Sequence, residues 1–152
     1  MARVLFVCVH NAGRSQMSQA LFNRAASGTQ EARSAGSEPI DRVHAQVIAV
    51  MDEVGIDLRG EIPKPLTREL AEWADVVVTM GCGDACPYIP GKRYLDWELE
   101  DPKGQPLDAV RATRDEISRR IDRLLTELGT PTGSSNPRSR PGPDFSFGSA
   151  KT

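Results

Sequence analysis

The chain has 152 residues, 39% of them hydrophobic and 26% charged, with a formal net charge of -2. That length supports one globular domain with its own core, and the even charge balance argues against a nucleic-acid or membrane-surface role. No apolar stretch approaches the roughly 20 residues of a membrane span, and the first residues read as a strand and not as a secretion signal, so a cytoplasmic protein is expected.

Ala2 to Val7 is a short, nearly continuous apolar run, as in a strand buried on both faces. It ends at Cys8, and Val9-His10-Asn11-Ala12-Gly13-Arg14-Ser15 follows, a Cys-x5-Arg-Ser arrangement between a strand and a helix. The helix is predicted over Ser15 to Ser27, from the spacing of Met17, Ala20, Leu21 and Ala25, and stops at Gly28. Glu31 to Ala35 reads as a second strand. Asp41 is predicted to cap a second helix that places Val43, Val47, Val50, Met51 and Val54 on one face and ends at Gly55. Pro63 and Pro65 break the connection, Thr67 to Trp73 is a short helix, and Asp75 to Met80 is a third buried strand. Gly81 to Gly91 is an irregular loop, and Arg93 to Trp97 a fourth strand. Val110, Ile117, Ile121, Leu124, Leu125 and Leu128 mark a long amphipathic helix ending at Gly129.

Strands alternating with helices imply an α/β fold, a three-layer α/β/α domain over residues 1–129 with a four-stranded parallel sheet. From Thr130 the chain is rich in Pro, Gly and Ser, and residues 130–152 read as a disordered C-terminal tail. With no apolar stripe left over once the core is assigned, a monomer is expected.

In such sheets ligands bind at the carboxyl ends of strands, where Cys8 stands. A helix N-terminus and an adjacent cation both favour a thiolate. The amides from Val9 to Ser15 (through His10, Asn11, Ala12, Gly13 and Arg14) can curl into an anion nest. Arg14 can grip two oxygens of a tetrahedral oxyanion, Gly13 permits close approach, Asn11 tolerates a left-handed turn, and the Ser15 hydroxyl can donate to the sulfur. An inert strand-end cysteine beside an unrelated arginine is the competing interpretation, and the strand–loop–helix context disfavours it. Asp101-Pro102 offers a general acid, although by itself Asp-Pro is a turn signal.

Cys82 and Cys86 share the Gly81 loop, and with Cys8 they suit a thiol relay. Zinc ligation and inert packing are the alternatives. A structural zinc site needs four ligands, and only His10, His44 and Cys8 could add to the pair, so no metal is expected. His10 reads as a loop-shaping residue, His44 as solvated, and Trp73 and Trp97 as core or rim packing.

With these pieces in place the chain resembles the arsenate reductases built on the low-molecular-weight tyrosine phosphatase fold. The resemblance rests on Val4 to Met17, Gly55-Ile56-Asp57 with Pro63-Lys64, Asp75 to Cys86, and Trp97 to Pro102. It implies that Cys8 attacks arsenate, that Arg14 and the loop amides bind it, that Ser15 supports the thiolate, and that Asp101 protonates the departing oxygen. It implies further that Cys82 attacks the Cys8 adduct and that a final Cys82–Cys86 disulfide is opened by an external thiol reductant, usually thioredoxin. No bound cofactor is implied. Some relatives use mycothiol and a glutaredoxin-like partner with only the nucleophilic cysteine. The tyrosine phosphatases carry a second cysteine before the loop arginine, where this chain has Gly13, and aromatic residues after Asp-Pro, where it has Lys103-Gly104-Gln105. Both differences disfavour phosphotyrosine as the substrate.

Overall fold

The computed structural model describes residues 2–81 and 90–129, so Cys82, Cys86 and the segment from Thr130 lie outside the described residues. Its elements are β1 (Arg3–Cys8), α1 (Arg14–Ala26), β2 (Glu31–Gly36), α2 (Ala45–Asp52), α3 (Arg68–Trp73), β3 (Val76–Met80), β4 (Arg93–Asp96) and α4 (Leu107–Glu127). The four strands form one sheet in the order β2-β1-β3-β4, and every pairing is parallel. This is the predicted α/β architecture. No helix among the described residues is long and apolar enough to cross a membrane.

Continuous apolar runs let β1 and β3 bury both faces, because successive side chains point to opposite sides of the sheet. Val4, Phe6, Cys8, Val76, Val78 and Met80 face the larger core, which α1, α2 and α4 complete with Met17, Phe22, Val47, Met51, Ile117 and Leu125. Leu5, Val7 and Val77 face a smaller cluster beneath the short helix α3. The two layers are therefore unequal. Phe6 anchors the thick one, its ring 5.8 Å from Phe22 and 5.7 Å from Trp97 between centroids. Complete burial of such a side chain contributes about 1.5–3 kcal/mol.

Chain order reverses at β1, which lies between β2 and β3. Cys8 pairs with Gly36 on one side and Met80 on the other, so the loop after Cys8 opens at the switch point between two strand ends.

The second helix begins later than predicted. Asp41 does not cap it; His44 is the N-cap and Ala45 the first helical residue. The cause is tertiary. Ser37, Glu38, Ile40 and His44 donate their backbone N–H groups to the carbonyls of Cys8, Val9, His10 and Ala12, and these bonds hold residues 37–44 against the Cys8 loop. For the same reason His44 is not solvated but half-buried at the loop. Trp97 lies in the core as predicted, and Trp73 packs at the rim with the Arg33 guanidinium 4.2 Å above its ring.

Candidate active site

The loop from Val9 to Gly13 joins the end of β1 to the start of α1. Its carbonyls at Cys8, Val9, His10 and Ala12 are all turned outward to the 37–44 segment. The N–H groups of Asn11 to Ser15, in contrast, donate to no acceptor among the described residues. Gly13, the N-cap of α1, supplies no side-chain cap. A loop whose acceptors are used and whose donors are open at an uncapped helix N-terminus has the makings of an anion cradle.

Beneath the loop lies a buried polar group. The Cys8 thiol is 2% exposed, and its Sγ lies 2.9 Å from Ser15 Oγ. Asn11 Nδ2 donates to the same Ser15 oxygen at 2.7 Å. Asn11 Oδ1 accepts from Gln16 Nε2 at 3.1 Å and from the Lys64 backbone N–H at 2.8 Å. These bonds hold Asn11 at φ 52°, a left-handed conformation that asparagine adopts more readily than most residues. Each contributes about 1 kcal/mol net, and leaving any of these buried groups unpaired costs more.

Glycines set how closely the walls approach. A Cβ on Gly36 would lie 2.6 Å from the Val9 carbonyl oxygen and 2.9 Å from the Asn11 nitrogen, both backbone atoms that cannot swing aside. A Cβ on Gly13 would lie 2.6 Å from Pro102 Cγ. Gly81, at φ 89°, leaves room for Arg14, whose Nη1 would be 3.1 Å from an added Cβ.

The Arg14 side chain, 11% exposed, joins the loop to the Leu99–Asp101 segment. Its Nη1 donates to the Leu99 carbonyl at 3.3 Å, its Nη2 is 3.8 Å from Asp101 Oδ2, and its buried Nε donates to no described group. The Asp101 side chain is 48% exposed. An ion pair of that length and exposure contributes at most about 1 kcal/mol. The contact of buried Pro102 with Gly13 is therefore the firmer link between the acid and the loop. Asp101 also accepts the Lys103 backbone N–H at 3.0 Å, which orders its carboxylate locally. His44 stands in the same corner, its Cδ2 3.6 Å from where a Gly13 Cβ would be. Burial holds its imidazole below the usual 6.5; Asp101 pulls the other way, and His10, Lys103 and Arg14 add to the depression.

Cys8, Asn11, Gly13, Arg14, Ser15 and Asp101 thus converge, with Val9, His10 and Ala12 in the same loop, while Cys82 and Cys86 lie outside the described residues. Gln16, Gly36, His44 and the Lys64 main chain are additional members of the site. Gly36 carries a legible signal, a glycine at a strand end, whereas His44 and Lys64 act through contacts distant in sequence and Gln16 through a bond to Asn11 five positions away.

Known proteins are similar to this chain. The family described as low molecular weight phosphotyrosine protein phosphatase matches residues 3–86. A glutaredoxin arsenate reductase of Synechocystis sp. is 37% identical over 131 residues, covering 84% of this chain and 99% of that protein. A solved thioredoxin-dependent arsenate reductase of Corynebacterium glutamicum is 43% identical with a TM-score of 0.72, matching 84% of this chain but only 61% of its own. The low molecular weight protein tyrosine phosphatase of T. tengcongensis superposes with a TM-score of 0.76 at 29% identity, over 84% of this chain and 100% of its own. The chain belongs to the low molecular weight phosphotyrosine protein phosphatase family, among its arsenate reductase-like members.

Proposed function

We infer that the protein is an enzyme that reduces arsenate to arsenite, with Cys8 as nucleophile. The observation that supports this most is the pairing of a buried thiol with a cradle of open N–H groups and the Arg14 guanidinium. Such a cradle suits a tetrahedral oxyanion and stabilises the charge that develops on its oxygens. The relatives' names carry the choice of arsenate.

The reaction begins with attack of the Cys8 thiolate on arsenic. A Cys8 sulfur–arsenic bond forms, and an arsenate oxygen departs as water with a proton from Asp101. Arg14 and the amides from Val9 to Ser15 hold the remaining oxygens. The Cys82 thiolate then attacks the Cys8 sulfur. The sulfur–arsenic bond breaks with its electron pair going to arsenic, so arsenic(V) becomes arsenic(III) and a Cys8–Cys82 disulfide forms. Cys86 attacks Cys82, freeing Cys8 and leaving a Cys82–Cys86 disulfide that an external dithiol reduces. Thioredoxin is the proposed donor; the names of the relatives point to proteins of the thioredoxin or glutaredoxin kind.

The decisive experiment follows NADPH oxidation by thioredoxin reductase and thioredoxin in the presence of the protein and arsenate, with arsenite assayed in parallel. Multiple turnovers matching arsenite are expected, and Cys82→Ser should stop after one arsenate per protein. One equivalent of arsenite from the unmodified chain would point to another reductant. No arsenite at all would refute the reading.

A further inference from the structure

Gln16 is a fully buried polar residue to which the reaction above gives no role. Its Oε1 is buried without a hydrogen-bond partner. A buried polar atom left unpaired costs about 1–3 kcal/mol, and methionine, of similar length, would avoid that cost. Its other end, Nε2, donates to Asn11 Oδ1. What that bond accomplishes follows from the direction of the chain of hydrogen bonds it enters.

The direction starts from a group that cannot be turned around. Lys64 lies between Pro63 and Pro65, so its N–H is the one backbone donor of those three residues. It points at Asn11 from 2.8 Å, and the Asn11 atom it meets is therefore the oxygen. Asn11 must then present its NH2 to Ser15 Oγ, 2.7 Å away. With one Oγ lone pair taken by that NH2, the Ser15 hydrogen is available to Cys8 Sγ at 2.9 Å, and once the sulfur is a thiolate, which has no hydrogen of its own, it can only accept. The sulfur becomes an acceptor, and a hydrogen bond to the charged form favours that form. Gln16 places a second donor on the same Asn11 oxygen, so a flipped Asn11 would bring its NH2 against two donors at once.

We propose that Gln16 is a positioning residue for the thiolate: its amide locks Asn11 in the one orientation that makes Ser15 donate to Cys8. This inference deepens the proposed reaction and rests on Cys8 being its nucleophile. Its test reads the thiol in the absence of arsenate, so the two can fail separately.

The test alkylates the reduced full-length protein with iodoacetamide at several pH values and quantifies the Cys8 peptide by mass spectrometry. Gln16→Met should alkylate about tenfold more slowly at neutral pH, reach the wild-type rate at alkaline pH, and so show a profile moved upward. Gln16→Glu, which presents a second acceptor to Asn11 Oδ1, should move it further. A profile for Gln16→Met that coincides with wild type overturns the proposal, as does a rate lowered equally at every pH, which would mark a merely structural role. The unmodified protein supplies an independent check: its Asn11 and Gln16 side-chain amide resonances should shift with the same midpoint as Cys8 alkylation. Resonances that ignore the ionisation of Cys8 overturn the proposal even where a variant does not fold.

Discussion

Asn11, Ser15 and Gln16 are fully buried at the Cys8 loop, whereas the Asp101 carboxylate, the acid of the proposed reaction, is 48% exposed on an irregular segment between β4 and α4. The loop is fixed through side-chain bonds below and backbone bonds from residues 37–44 beside it. The Asp101 segment meets the loop through Pro102, which stands on Gly13, and through the Arg14 guanidinium. The difference separates two needs. A nucleophile and an oxyanion cradle gain from geometry set before substrate arrives. A proton donor must reach a departing oxygen and exchange its proton afterwards, which exposure allows.

Substitutions can be aimed at one side of this division or the other. The largest effect is expected from Cys8→Ser, which should cut arsenite formation by at least about 10⁴-fold, while calorimetry still detects phosphate or arsenate binding because the loop amides remain. Gly36→Ala strikes the loop from the β2 side. Its Cβ would meet the Val9 oxygen at 2.6 Å, and the displaced loop should cost about 100-fold in kcat, with slower Cys8 alkylation as well. Gly13→Ala should act on the segment instead. Its Cβ overlaps Pro102, so kcat should fall about tenfold with Cys8 alkylation unchanged; an equal loss in both readouts would erase the distinction between the two sides.

The smallest effect is one of stability and concerns the corner where the two sides meet. Because His44 titrates below 6.5 in the folded protein, the unfolded chain takes up its proton first as the pH falls. The stabilisation is complete above about 6.5 and is lost as pH drops through the lower folded value. His44→Asn should therefore show a smaller fall in Tm between neutral and mildly acidic pH than wild type, with the Asp101, His10, Lys103 and Arg14 charges around it unaltered. An identical fall in both proteins would mean that His44 contributes nothing to the acid sensitivity.

The elements were legible because each is written in neighbouring residues. β1 and β3 are apolar runs, and α4 repeats apolar positions at helical spacing, so their boundaries agree with the observed Arg3–Cys8, Val76–Met80 and Leu107–Glu127 to within a residue or two where a boundary could be read. The order Cys8, Arg14, Ser15 at a strand–helix junction was legible for the same reason. Asp41 shows where local signals lose: it is a good cap by type, but four backbone bonds to the loop delay the helix until Ala45. The long-range contacts that support the loop were not legible. Asn11 and Lys64 are 53 positions apart, and no periodicity connects them. Gly13 read as a place of close approach, yet that Pro102 is what approaches appears only in three dimensions.

The Lys64 N–H beneath Asn11 has a consequence for how portable this chemistry is. The segment Cys8–Ser15 looks like a cassette, eight consecutive residues that could be grafted onto any strand–helix junction. Its orientation, however, is supplied by Gln16, by Gly36 at the end of β2, and by a main-chain donor held between two prolines far along the chain. A graft of the cassette alone would carry the thiol, the guanidinium and the loop amides proposed to hold the oxyanion, but the Ser15 hydroxyl would be free to turn away from the sulfur. On the proposed reaction, the transferable unit is the loop together with the two neighbouring strand ends and the Pro63-Lys64-Pro65 strut, and a designer who moves less than that should obtain oxyanion binding without a reactive thiol.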